Sequence, residues 1–190
     1  RLVVDPERFP DEREEMEAAG MGFAYTATSR SAPLRHLAPA DRERLKERWF
    51  DPYAAALGQL VGAVRARFGR CVIVDLHSYP RRALPYEQRP EAPRPEVCIG
   101  TDAFHTPDWL AAGVEEACDR LGLGHGRDTP FRGCYVPLGF YRQDAAVSSV
   151  MLELRRDAYL DEATGRPTAG EAVATDLVAS VVRIAAQPPG

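Results

Sequence analysis

The chain has no apolar stretch approaching the roughly 20 residues that span a bilayer, and no signal-peptide pattern. It has no clustered basic patch that would suit a nucleic acid or an anionic membrane surface. A cytoplasmic protein with neither kind of partner is the expectation. Its four cysteines, Cys71, Cys98, Cys118 and Cys134, are widely spaced, and the absence of any CxxC pair argues against structural zinc or thiol redox chemistry. Internal repeats and low-complexity segments are missing. So are a Gly-rich phosphate loop, a G-x-S-x-G elbow and an H-E-x-x-H helix, which removes the commonest signatures of nucleotide, serine-hydrolase and zincin chemistry. What is present is 190 residues with 45% hydrophobic content and a net charge of −4. That is enough chain for one domain, 1–190, with a sizeable core.

Strands alternating with helices predict an α/β fold built on a largely parallel sheet covered on both faces. The pattern predicts a short strand over Leu2–Asp5, a charged turn over Glu12–Glu17 and an extended segment over Phe23–Thr28. A helix is expected from Pro39 to about Phe50, then a break at Asp51-Pro52. A second helix follows to Phe68, with Leu57, Leu60, Val61, Val64 and Phe68 inward and Gly69 as its cap. Strands are expected over 71–77, 96–99 and 147–154. Thr106-Pro107 reads as the cap and first turn of a helix ending near Leu121, and Thr168-x-x-Glu171 as the capping box of a last helix reaching Ala186. In that last helix Val173, Leu177, Val178, Val181 and Ile184 face inward. The long Pro- and Arg-rich loop from Pro80 to Pro95 lies beside the strand ends.

The most informative segment is Cys71-Val72-Ile73-Val74-Asp75-Leu76-His77-Ser78. An apolar strand ends there in polar residues, and open α/β sheets bind ligands beyond the carboxyl ends of their strands. Alternation along a strand puts Asp75 and His77 on one face. A carboxylate beside an imidazole either orients a metal ligand or simply satisfies a strand-end histidine. Glu153, inside the apolar run Val147–Leu154, is costly unless paired or ligated. It is either half of a buried ion pair with an arginine such as Arg155 or Arg156, or a general base. Arg8 and Arg132 could grip a carboxylate with their planar forks, or be solvated surface residues. Thr101, Asp102 and His105 occupy a loop suited to ligands, where His105 could equally bond locally. Ser78 lacks the strand-turn-helix setting of a nucleophile, and Cys134 has no evident activating partner.

Several short motifs occur in order: Arg1-Leu2-Val3-Val4-Asp5, Glu7-Arg8-Phe9, Gly20-Met21-Gly22, Asp75-Leu76-His77-Ser78, Gly100-Thr101-Asp102 with Phe104-His105-Thr106-Pro107, Pro130-Phe131-Arg132-Gly133 and Tyr159-Leu160-Asp161-Glu162. Together they resemble the N-formylglutamate amidohydrolase family, which is related in fold to the zinc carboxypeptidases. The resemblance implies a three-layer, mostly parallel or mixed sheet with helices on both faces. It implies zinc-dependent hydrolysis of an amide in an N-acylated amino acid, a small-molecule carboxylate. By the same resemblance His77 is a zinc ligand oriented by Asp75, Glu153 is the base, and Arg8, Arg132, Arg156 and Ser78 contact substrate. The resemblance also implies a His and an acidic ligand drawn from a segment before the first strand found here. It places a His where this chain has Tyr53 or Ala54, and an Asn where it has Arg155. On that basis the N-terminal strand lies outside these residues, and the 190 residues alone are expected to bind zinc weakly or not at all. A non-catalytic binding or regulatory protein on the same fold is the alternative expectation.

Overall fold

The computed structural model describes residues 4–187. The chain forms two compact units, Arg1–Gly62 with Leu84–Pro90, and Ala63–Ala83 with Glu91–Gly190. The strand expected over Leu2–Asp5 falls mostly outside the described residues, and Val4 and Asp5 themselves are not strand.

In the first unit the core gathers Met21, Phe23, Ala24, Phe50 and Val61. Phe23 meets Phe50 edge-to-face, with ring centroids 5.5 Å apart. The guanidinium of Arg42 lies 4.2 Å from the Phe23 ring centroid and donates to both carboxylate oxygens of Glu17 at 2.9 and 2.8 Å. The break expected at Asp51-Pro52 does not occur. Helix α1 (Pro39–Leu45) passes through one π-helical turn, Lys46–Phe50, into helix α2 (Asp51–Phe68). The Asp51 N–H reaches back to the Lys46 carbonyl, one residue further than in an α-helix. That wider turn accommodates Pro52, which has no N–H to give and whose ring would crowd the preceding turn. The inward face expected for α2 is also narrower than its composition suggests. Val61 is buried and Leu57 and Val64 are half-buried, but Leu60 is 61% and Phe68 64% exposed. Leu60 lies a quarter-turn from Val61, and Phe68 is the helix's last residue.

The second unit is built on a four-stranded mixed sheet of β1 (Cys71–Tyr79), β2 (Val97–Gly100), β3 (His125–Arg127) and β4 (Val147–Arg155), in the order β1-β4-β2-β3. β1 runs parallel to β4 and β2 parallel to β3, while β2 and β4 are antiparallel. The β-branched run Val72-Ile73-Val74 suits the pleat. Alternation divides each strand. Val72, Val74, Val97, Ile99, Val150, Leu152 and Leu154 face helix α3 (Asp108–Leu121) and helix α4 (Gly170–Ala186), meeting Leu110, Val114, Ala117, Cys118, Leu177 and Val181 in one continuous core. Helix α3 stops at Gly122, whose φ of +68° suits a residue without Cβ. Gly69, at φ +74°, ends α2 as the sequence predicts.

The two expected capping bonds differ from the pattern. Helix α3 starts one residue later, with Pro107 at its N-cap, and the Thr106 hydroxyl instead donates to the Ser149 carbonyl at 2.7 Å. At α4 the Thr168 hydroxyl accepts the Gly170 N–H at 3.3 Å, while the Glu171 N–H bonds the Thr168 carbonyl. Strand β3, three residues around His125, is too short to show a period and reads as loop from the sequence.

Candidate functional site

The face of the sheet away from α3 and α4 carries the polar residues. The register sets Cys98 of β2, Glu153 of β4 and His77 of β1 side by side in one row, with Met151 and Asp75 in the next row but one along the same face. Since β1 and β4 are parallel, His77 and Glu153 sit together near the carboxyl ends of both strands, where the sequence pattern places a ligand site. The ring Nε2 of His77 lies 2.7 Å from Asp75 Oδ1. The other carboxylate oxygen, Oδ2, accepts the Tyr135 backbone N–H at 2.9 Å. A carboxylate only accepts, so the proton of the His77 bond belongs to Nε2.

Arg155 and Arg156, the arginines named as partners for Glu153, make bonds at the ends of the strands. Arg155 Nε donates to Asp157 at 2.6 Å, and its Nη1 to the Arg94 carbonyl. Arg156 donates through Nε to the Ser78 hydroxyl and through Nη2 to the Ser78 carbonyl, both at 3.2 Å. The structure therefore joins two of the expected substrate contacts, Ser78 and Arg156. By alternation it sets them on the opposite side of the strands from His77 and Glu153, at the same strand ends. Arg132 is exposed, two residues after the cis peptide Thr129–Pro130. Arg8 belongs to the first unit, where it lies 3.7 Å from Asp5 and 3.5 Å from Glu14, two buried carboxylates. Asp5 also accepts the Tyr25 hydroxyl at 2.8 Å.

Around Glu153 the neighbours are held neutral. Burial pushes the Cys98 thiol up to about 11, and the thiol donates to the Phe131 carbonyl at 3.2 Å. Burial likewise raises the Tyr79 phenol, which donates to the Pro95 carbonyl while its ring meets Phe131 edge-to-face and carries the Arg94 guanidinium 4.9 Å from its centroid. Neither is poised as a nucleophile at neutral pH.

His105, which could have been a ligand, is a satisfied core residue. It is fully buried, its Nδ1 lies 2.7 Å from the Val147 carbonyl, and its Nε2 accepts the Arg142 N–H at 2.7 Å. That pair of bonds requires the neutral ring with its proton on Nδ1. Asp102 turns inward to its own loop, accepting the N–H groups of Phe104 at 2.8 Å and His105 at 3.1 Å. Burial alone would raise its carboxyl. Those two bonds and Arg142 outweigh it and hold the group below its ordinary value.

Two participants were not singled out by the sequence reasoning. The Tyr135 peptide acts through its backbone, which no residue type announces. Ser149 is a fully buried hydroxyl in a strand whose other fully buried residues are apolar. The signal that drew attention to Glu153, a polar residue where the pattern calls for an apolar one, was equally available for it.

The family model described as N-formylglutamate amidohydrolase matches residues 1–160. Among solved structures, the N-formylglutamate amidohydrolase of Ralstonia eutropha is similar with a TM-score of 0.79 at 26% identity, over 97% of this chain and 73% of that one. A gene product of Agrobacterium tumefaciens shares the fold at a TM-score of 0.64 and 16% identity, over 97% of this chain and 67% of that one. No curated protein sequence matches significantly.

Proposed function

The chain belongs to the N-formylglutamate amidohydrolase family, and from that premise we propose that it removes the formyl group from an N-formylated amino acid such as N-formylglutamate by metal-assisted hydrolysis. The observation that carries the reading is the placing of His77 and Glu153 opposite each other in register, near the carboxyl ends of β1 and β4, with Asp75 fixing the His77 ring.

The donor chemistry suits part of a zinc site: imidazole nitrogen is a donor zinc accepts, and a carboxylate on one ring nitrogen is the arrangement that orients such a ligand. His77 would hold the metal through Nδ1, with Asp75 orienting the ring. When bound, zinc supplies Lewis acidity toward the formyl carbonyl and makes water more acidic.

This chain's own residues do the rest. Glu153 takes the proton from the attacking water and returns it to the leaving amide nitrogen as the C–N bond breaks, giving formate and a free amino group. Its neighbours Cys98 and Tyr79 are themselves neutral at working pH and do not compete with it for the proton. Arg156, pinned by two bonds to Ser78, holds its remaining N–H groups in a fixed fork for a substrate carboxylate. Arg132, exposed in the loop after the cis peptide, is the second arginine assigned to that carboxylate.

Formate release from N-formyl-L-glutamate, with zinc supplied, tests the reading. Turnover by the wild type and a loss of at least about 10²-fold in Glu153→Gln at unchanged melting temperature is the expected result. A wild type that releases no formate, or a fully active Glu153→Gln, would overturn it.

A further inference from the structure

We propose that Ser149 is a positioning residue: its buried hydroxyl holds the Tyr135 backbone through its carbonyl, and the N–H of the same residue fixes the carboxylate that orients His77. The geometry forms an unbroken series of bonds. Ser149 Oγ donates to the Tyr135 carbonyl at 2.8 Å. The Tyr135 N–H donates to Asp75 Oδ2 at 2.9 Å, and Asp75 Oδ1 lies 2.7 Å from His77 Nε2. Both backbone polar groups of one residue are thus engaged, the carbonyl by Ser149 and the N–H by Asp75. A peptide is planar, so holding its carbonyl also sets the direction of the N–H on its residue's other side only when the neighbouring dihedrals are restrained. Here they are restrained. Two residues before Tyr135 the Gly133 carbonyl packs directly against the sheet at Gly100, where any Cβ would meet it and the Met151 side chain.

Ser149 is itself held on three sides. Its N–H donates to the His105 carbonyl at 2.8 Å, and its carbonyl accepts the Thr106 hydroxyl at 2.7 Å. The Thr106 hydroxyl in turn accepts the Asp102 N–H at 2.9 Å. Beyond Gly100, where β2 stops pairing with β4, the 102–106 turn takes over the bonding of β4. The result is a rigid anchor for one hydroxyl. Without it Asp75 would keep its place on β1 but lose a fixed donor on Oδ2. The carboxylate could then rotate, and the His77 ring would no longer be confined to one tautomer.

The inference deepens the proposed hydrolase reading and rests on it for its effect on turnover, but not for its effect on the imidazole. The experiment therefore reads both. Long-range ¹H–¹⁵N spectra of the histidine rings, with His77→Gln to assign the His77 signals, are compared for wild type, Ser149→Ala and Ser149→Cys, alongside thermal melts and kcat and KM for formate release. Wild type is expected to show a single His77 form protonated on Nε2. Ser149→Ala should fold cooperatively, yet shift or mix the His77 tautomers and lower kcat about tenfold with KM within about twofold. Ser149→Cys, of similar shape and a weaker donor, should fall between. If both variants fold and the His77 signals match wild type, Ser149 is only a core residue and the proposal fails. If Ser149→Ala does not fold, Ser149→Cys decides by the same criterion. If wild type releases no formate, the hydrolase reading fails while the ring signals still decide the role of Ser149.

Discussion

Replacing Asp75 by Asn is the most discriminating perturbation of this site, because the change is one atom and the geometry dictates its effect. Asp75 now accepts from two donors, the Tyr135 N–H at 2.9 Å and the His77 ring at 2.7 Å. Asn has one acceptor and one donor end. If its NH₂ faces Tyr135, two donors meet. If its NH₂ faces His77, the ring must accept at Nε2 and carry its proton on Nδ1, the nitrogen assigned to the metal. The backbone N–H cannot change its role, whereas the imidazole can switch tautomer, so the second arrangement wins. A hydrogen bond to a charged group is worth about 1.5–3 kcal/mol. Loss of a carboxylate that orients a metal-bound His typically costs 10–100-fold in affinity, or about 1.4–2.8 kcal/mol. The two estimates agree, so Asp75→Asn is expected to weaken zinc about 10–100-fold while melting near wild type. Competition with a chelator of known zinc affinity measures the first quantity, and ring ¹⁵N shifts report the tautomer. A variant that binds zinc within twofold of wild type, with His77 still protonated on Nε2, would refute the reasoning.

Two further outcomes follow from the titrating groups. Asp102 is held below its ordinary value of 3.8, so its charge stabilises the fold fully above that pH and the contribution is lost as pH falls through the lower folded value. Asp102→Asn should therefore melt below wild type at neutral pH, and the gap should close as the pH drops below about 4; melting curves taken across that range would show a constant gap if the argument is wrong. Burial raises all four thiols, Cys98 to about 11 and Cys118 to about 12, with Cys71 and Cys134 raised as well. Iodoacetamide at neutral pH should leave the native protein largely unmodified and label four cysteines in denaturant. Rapid native labelling of Cys134, read by mass spectrometry, would contradict the raised thiol.

The strands that matter were legible because their signals are local. The apolar runs before Asp75 and around Glu153 marked β1 and β4, and the period of two put Asp75 and His77 on one face, as observed. Helix ends marked by glycine, at Gly69 and Gly122, were equally plain, since the left-handed residue itself carries the information. What stayed hidden was decided by competition or by distance. Thr106 and Thr168 looked like caps because the sequence names their nearest backbone groups, but not the Ser149 carbonyl across the fold or the Tyr159 carbonyl to which the Thr168 N–H turns. The pairing of His77 with Glu153 depends on register between strands 76 residues apart, and no spacing rule reports it. The continuous helix through Asp51-Pro52 required a π turn, which propensities do not foresee.

Strand β4 lies between a parallel and an antiparallel neighbour, with hydrophobic residues on one side and Ser149, Met151 and Glu153 on the other. This arrangement makes the chain's tolerance of length change sharply uneven. One residue inserted within Val147–Arg155 would turn every later side chain through the sheet, driving Glu153 toward Leu177 and Val181 and carrying an apolar neighbour into its place. The same insertion in the preceding turn around Gly139, where an added side chain meets open space, would leave the strand's alternation untouched. Homologous chains in this region should therefore differ in length before Val147 and keep a fixed count from there to Arg155.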